Sequence, residues 1–326
     1  MRKVLLLLLL TAWQATAQSA YNTTDSSLLI VHVSKDCDGI NLQFLIENQS
    51  NFIHKSNSEK PFHHVLKTKR PVPFSCYINF PRTRGILIKG LALPSDTLEI
   101  NIDIDKQKAI LAHFKGKSDA ICNYYNALES DTCYMRMRNY HSPKDLMGTL
   151  VSIDSTNRYK KQYLAAYNSR TPLAEWFVEY ETLKITYGDA LEKLKAFSLY
   201  NVNYGKKVFL TPQFLVWIAD VPISNPAALQ TQAYYEFLQT YFSLLNKGLY
   251  GSGVSSKILS HFKQTIPDAR KQLNPEVLEC YLAYNIQEYY NNGAMKEPLD
   301  ALILSLKPEF KNETLYNSLV NRSYNF

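Results

Sequence analysis

From Ser26 to about Phe114 the apolar positions recur with a period near two, in short runs of β-branched and aliphatic residues divided by polar turns. That pattern predicts seven strands, at residues 28–33, 40–46, 64–68, 73–80, 85–93, 97–104 and 109–114. Ile100, Ile102 and Ile104 alternate with Asn101 and Asp103, so one face of that strand is apolar and the other wet. Such alternation fits an antiparallel sheet covered on one side. Seven short strands in a row predict an antiparallel β-sandwich.

Beyond Lys117 the apolar spacing lengthens to three and four residues, and all of the 23 tyrosines except Tyr21 and Tyr77 lie in this part. Helix starts are marked where a capping side chain precedes proline: Ser142-Pro143, Thr171-Pro172, Thr211-Pro212, Asn225-Pro226 and Asn274-Pro275. After Pro172, the residues Leu173, Trp176, Phe177, Tyr180, Leu183, Tyr187, Leu191 and Leu194 form one apolar stripe, with Glu179, Lys184, Glu192 and Lys193 off it on the expected wet face. Similar stripes run through Leu229, Ala233, Phe237, Tyr241 and Leu245, and through Leu278, Tyr281, Leu282, Ile286 and Tyr289. No fixed-period repeat with a recurring signature accompanies them. The expected fold is therefore α+β in two segregated parts: a β-sandwich domain over residues 18–117 and an all-α domain over 118–326.

Hydrophobic residues at 46% and charged residues at 20% fit a folded chain rather than a disordered one. Residues 1–17 have the order of a cleavable signal peptide: Arg2 and Lys3, the apolar run from Val4 to Leu10, then Ala15-Thr16-Ala17. This run is far shorter than the ~20 residues of a spanning helix. No later stretch is apolar enough to span a bilayer, so the expected product is periplasmic or secreted, without a transmembrane segment. The formal net charge is +7, two units of which leave with Arg2 and Lys3. The remaining Lys and Arg are interspersed with Asp and Glu, which argues against a nucleic-acid partner.

Five cysteines, Cys37, Cys76, Cys122, Cys133 and Cys280, are destined for a compartment where disulfides persist. A Cys37–Cys76 bridge within the first domain is one arrangement; mostly buried thiols are the other. There is no Cys-x-x-Cys, zinc-protease signature, Gly-x-Ser-x-Gly elbow or phosphate-binding Gly-rich loop, so neither a cofactor, a metal nor a catalytic residue is assigned. His54, His63, His64 and Lys67 form a polar stretch able to attract an anionic glycan or an acidic partner. Adjacent His63 and His64 point to opposite faces of a strand and do not share a metal easily. In each pair Tyr124-Tyr125, Tyr234-Tyr235 and Tyr289-Tyr290, neighbouring rings stand about 100° apart on a helix. This spacing turns one ring inward and leaves Tyr125, Tyr235 and Tyr290 as candidate contact residues at the border with solvent.

Two passages at the domain junction carry a resemblance. They are Leu93-Pro94-Ser95-Asp96-Thr97-Leu98-Glu99-Ile100 and Phe114-Lys115-Gly116-Lys117-Ser118-Asp119-Ala120-Ile121-Cys122-Asn123-Tyr124. They resemble the Pro-Gly-Asp-then-strand and Phe-x-Gly-then-Asn-x-Tyr passages of exported TlpA-like, thioredoxin-family proteins of Gram-negative bacteria. In that family a β-rich domain and a helical segment precede a thioredoxin-fold domain, and the chain resembles the first two parts over about residues 18 to 320. Without a Cys-x-x-Cys pair, disulfide reductase activity is not implied. Ser95 stands where the family has glycine, which requires either a turn without positive φ or a strained one. The expected function is a non-enzymatic binding or partner-interaction module of the bacterial cell envelope. Its partner is an envelope protein, a thioredoxin-fold protein or a glycan. The alternative implied by the resemblance is an accessory of a thiol-disulfide system without a redox centre of its own.

Overall fold

The computed structural model describes residues 26–46, 52–67, 71–79, 86–104, 110–137, 145–203, 210–245, 255–291 and 296–321. The signal-peptide region and the Ser142-Pro143 signal lie outside them. Strands β1 (Ser26–Val33), β2 (Asn41–Ile46), β3 (Phe52–Lys55), β4 (Phe62–Lys67), β5 (Val72–Asn79), β6 (Ile86–Ala92), β7 (Thr97–Ile104) and β8 (Ile110–Lys115) form two four-stranded sheets. Their orders are β4-β1-β7-β8 and β3-β2-β5-β6. Leu29, Val31, Leu66, Leu98, Ile100 and Ile102 from the first sheet share one core with Leu42, Phe44, Ile46, Phe74, Cys76, Ile78 and Ile88 from the second. The period-two pattern sorts these residues inward, as expected.

Two details differ from the sequence reading. β1 and β7 pair in parallel, with Leu28 opposite Thr97 and Val33 opposite Ile102, so the first sheet is mixed rather than antiparallel throughout. Alternation of side chains sets which face is buried and carries no information about strand direction. β3 was not predicted, because its four residues Phe52-Ile53-His54-Lys55 hold too short a run to register as a strand.

A helix, α1 (Asp119–Ser130), packs on β6 and β8, which are edge strands of the two sheets. The chain divides into two compact units between Asp131 and Thr132, so α1 joins the strands instead of opening the helical part at residue 118. Its inner face explains this: Ile121, Cys122, Tyr124, Tyr125 and Leu128 are buried. Cys122 reaches into the β core. Gly90 of β6 makes the approach feasible, since a Cβ there would lie 2.3 Å from the Phe74 ring and 2.9 Å from Cys122 Sγ. Asn126 Nδ2 donates to the Lys89 carbonyl at 2.8 Å, and Lys89 Nζ meets Glu129 at 2.6 Å.

The second unit holds α2 (Thr132–Met137), α3 (Leu146–Arg170), α4 (Glu175–Asn203), α5 (Pro212–Leu215), α6 (Gln232–Leu245), α7 (Ser255–Gln272), α8 (Pro275–Asn291), α9 (Lys296–Ser305) and α10 (Glu313–Asn321). Three proline signals mark real caps. Thr211 accepts from Phe214 N–H, Asn225 from Ala227 N–H and Asn274 from Val277 N–H. Thr171-Pro172 does not mark one: Thr171 closes the end of α3, and α4 begins at Glu175. The start of α3 is capped by Asp145, which accepts from Gly148 N–H at 2.9 Å.

The apolar stripes of α4, α6 and α8 meet in one core that includes Tyr187, Leu194, Phe237, Leu238, Phe242, Tyr281, Leu282 and Ile286. Tyrosine serves here because its ring fills space while its hydroxyl reaches a polar group. Tyr187 and Tyr234 rings lie 4.5 Å apart, their hydroxyls donating to the carbonyls of Pro222 and Ile223. Asn225 closes this arrangement, with its side chain donating to Tyr187 and its N–H to Tyr234. No helix among the described residues is long and apolar enough to cross a membrane.

Candidate functional site

Residues flanking the buried stripes of α4, α6 and α8 line a groove of about 440 Å³. Helix α4 supplies Lys195, Ser198, Leu199 and Val202, α6 supplies Gln232, Glu236, Gln239 and Thr240, and α8 supplies Tyr284 and Glu288. Spacings of three and four residues place each set on one helical face. The walls are tied together. Lys195 Nζ donates to Glu236 at 3.0 Å across α4 and α6, and Gln239 donates to Asn285 at 3.0 Å across α6 and α8. Gln232 donates to the other oxygen of Glu236 at 3.0 Å.

The groove is amphipathic. Leu199 and Val202 are 53% and 46% exposed, unusually open for aliphatic residues. The Tyr284 ring is held by stacking on Tyr235 at 4.9 Å, and the Tyr235 hydroxyl donates to the Leu229 carbonyl. Burial raises the pKa of the Glu288 carboxyl above the usual carboxylate range, and the charge of Glu236 adds to the effect. The site therefore offers carboxylate and amide groups beside an apolar lip. Nothing in the sequence patterns identified it, because which helix edges face each other depends on how the stripes pack. The available signal was polar residues at four-residue spacing beside the stripes, as with Gln232 and Glu236, or Tyr284 and Glu288.

The residues selected from sequence are dispersed. His54 and His64 point inward from β3 and β4 into a ring cluster over Phe44: Phe52 lies 4.4 Å from His64, and Phe62 lies 4.4 Å from His54. His63 is exposed on the opposite face of β4, as strand alternation requires, while the Lys67 side chain lies outside the described residues. The three histidines do not form one patch. Burial lowers the pKa of both His54 and His64. In the unfolded chain each has the ordinary value of about 6.5, so acidification through that range protonates the unfolded state first and costs the native state stability. The urea midpoint of the β unit, followed by far-UV circular dichroism, is expected to fall between pH 7.5 and 5.5. His54→Phe/His64→Phe is expected to flatten that fall.

Among the candidate tyrosines, Tyr290 is 41% exposed as expected, but Tyr125 and Tyr235 are each 5% exposed and belong to packing. Both rings of the Tyr124-Tyr125 pair turn inward because α1 covers two strands, which widens its buried face.

All five cysteines are free thiols, and the Cys37–Cys76 bridge is not formed. Cys76 lies within β5, opposite Phe44, and Cys37 lies on the turn after β1; both are buried. Burial pushes the Cys37 thiol up, takes Cys76 and Cys122 to about 12, and takes Cys280 to about 11. Cys280 is half-buried and Cys133 is exposed. Among the described residues no group of three or more His, Cys, Asp and Glu is placed to hold a metal ion.

Lys193, expected on the wet face of α4, is instead buried. Its ammonium meets Asp154 at 2.5 Å and Asp189 at 2.7 Å and donates to the Trp217 carbonyl at 3.2 Å. Asn157 donates to the second oxygen of Asp189 at 3.0 Å. Burial acts to lower the Lys193 pKa, but the two aspartates outweigh it and the net direction is up. A lysine held protonated in this way braces α3 against α4 and is no nucleophile.

No protein-family model matches the chain, and no curated protein matches it, which leaves the geometry of its own residues to carry the functional reading.

Proposed function

We propose that the protein is an exported, non-enzymatic binding module of the bacterial cell envelope. In this reading a β-sandwich unit precedes a helical unit that takes a small ligand in the α4/α6/α8 groove. The observation that carries it is the groove itself, whose volume of about 440 Å³ falls in the range of small-molecule sites. Exposed Leu199 and Val202 supply apolar contact, while Glu236, Gln239 and Glu288 supply directional polar groups. Leu199→Trp fills the groove from an exposed position. Ligands that raise the melting temperature of the native chain are expected to lose that effect in Leu199→Trp, with the unliganded melting temperature unchanged. Shifts that persist in the variant would place ligand binding elsewhere.

The accessory role in thiol-disulfide exchange is the second reading, motivated by the resemblance at residues 93–124. Four of the five thiols weigh against it, and the exposed Cys133 is the one placed to serve it. A thiol that docks a redox partner needs exposure and thiolate character, whereas Cys37, Cys76, Cys122 and Cys280 are all pushed toward the protonated form. Native labelling with a maleimide is expected to modify Cys133 rapidly and the other four only after denaturation. Rapid native labelling of Cys37 or Cys280 would favour the accessory reading.

A further inference from the structure

We infer that a second groove, at the turn from α3 into α4, takes a linear diamine, two ammonium groups joined by a short methylene chain. The groove has a volume of about 400 Å³, within the range of small-molecule sites, and is independent of the α4/α6/α8 groove. Its floor is aliphatic and already formed. The Thr171 N–H closes α3 on the Tyr167 carbonyl, and the Asn168 side chain accepts from the Leu173 N–H at 2.7 Å, which holds Leu173 buried at the bottom. Val178 and Leu183, both half-buried on α4, complete the floor.

The rim carries charge of one sign. Glu175 and Glu179 are exposed and lie one turn apart on the same face of α4, about 6 Å along its axis. Like charges at this spacing destabilise a helix. The α4 macrodipole offsets Glu175 in the first turn but has faded at Glu179 in the second. Among the described residues no lysine, arginine or histidine lines the groove, and Lys184, the nearest basic residue on α4, is held on Glu181 at 3.2 Å. The Thr182 hydroxyl donates to the Val178 carbonyl at 2.7 Å, so what it offers a ligand is an acceptor. An anion is repelled by both carboxylates, and a neutral chain gains the floor without Coulombic attraction. A monoamine neutralises one carboxylate and leaves the other. A diamine meets both with charge-assisted hydrogen bonds while its methylenes cover Leu173, Val178 and Leu183.

Titration calorimetry on the full chain at pH 7.5 with 1,4-diaminobutane, butan-1-amine and butan-1-ol, probes of one chain length, tests this. The diamine is expected to bind about tenfold more tightly than the monoamine, the gain of one further hydrogen bond to a charged group, and the alcohol to bind most weakly of the three. Raising the salt to about 1 M should shrink that preference, because both carboxylates are exposed. Glu179→Gln is expected to remove the preference and Glu175→Gln most of it. Both positions are exposed, so neither variant puts folding at risk. Equal affinity for diamine and monoamine would overturn the assignment of a dication. A preference that survives in Glu175→Gln/Glu179→Gln would overturn the location, and no binding of either amine would overturn the site itself.

Discussion

Replacing Lys193 by methionine is expected to destabilise the helical unit by about 3 kcal/mol, the low end of what breaking a buried ion pair costs. The side chain is 5% exposed and joins Asp154 on α3 to Asp189 on its own helix. Methionine fills nearly the same volume, so loss of packing is a small part of the effect. What remains is Asp189, 16% exposed and left with the Asn157 amide, and the Trp217 carbonyl without its ammonium donor. Asp154 is more open and regains water, which keeps the loss at the low end. Trp176 and Trp217 are the tryptophans of the chain after residue 17, and both belong to the helical unit. Tryptophan fluorescence during urea unfolding therefore reads this unit alone. The triple variant Lys193→Met/Asp154→Asn/Asp189→Asn should recover part of the loss, since it removes the stranded charges together with their partner. A loss under 1 kcal/mol in Lys193→Met would show that water already solvates the site.

The same residue shows where the sequence stops being informative. The stripe of α4 was legible because Phe177, Tyr180, Tyr187, Leu191 and Leu194 repeat at helical spacing, and all are buried. Lys193 falls off that stripe, and a charged residue off a stripe reads as solvated. A 29-residue helix is contacted by α3 as well as α6, however, so more than one of its faces is covered. Whether a lysine on a second face is wet or paired depends on Asp154, a residue on another helix. The groove was hidden for the same reason: Glu236 and Glu288 are distant in sequence, and the packing of α6 on α8 brings them to one lining. In the β unit the alternating faces were readable, and the parallel pairing of β1 with β7 was not. Direction depends on the path of the chain between strands, which a period of two does not encode.

Asp96→Ala is expected to destabilise the β unit by about 3 kcal/mol, because one carboxylate holds three donors at the junction of turn, loop and helix. Asp96 is buried, with Oδ1 accepting from Lys117 N–H at 3.0 Å. Its Oδ2 accepts from Ser118 N–H at 3.2 Å and from the Ser118 hydroxyl at 3.1 Å. Ser118 occupies the N-cap position of α1 but makes no cap bond with its own side chain, so Asp96 supplies the negative charge that the first turn favours. The surroundings leave little room to adjust. Ser95 takes φ 58, the strained one of the two turn geometries open to a serine there, at a cost of roughly 1 kcal/mol. Gly116 takes φ 152, and a Cβ there would lie 2.7 Å from the Thr97 carbonyl oxygen. Alanine at position 96 strands two backbone N–H groups and a hydroxyl in a buried turn and loosens the start of α1. Amide exchange is the appropriate readout, since no tryptophan lies in residues 18–131. Protection in β6, β7 and α1 should fall together in Asp96→Ala, and by less in Asp96→Asn, which keeps one acceptor oxygen. If α1 lost protection while the strands kept theirs, Asp96 would be a helix cap alone, and the helix would not be part of the cooperative β unit.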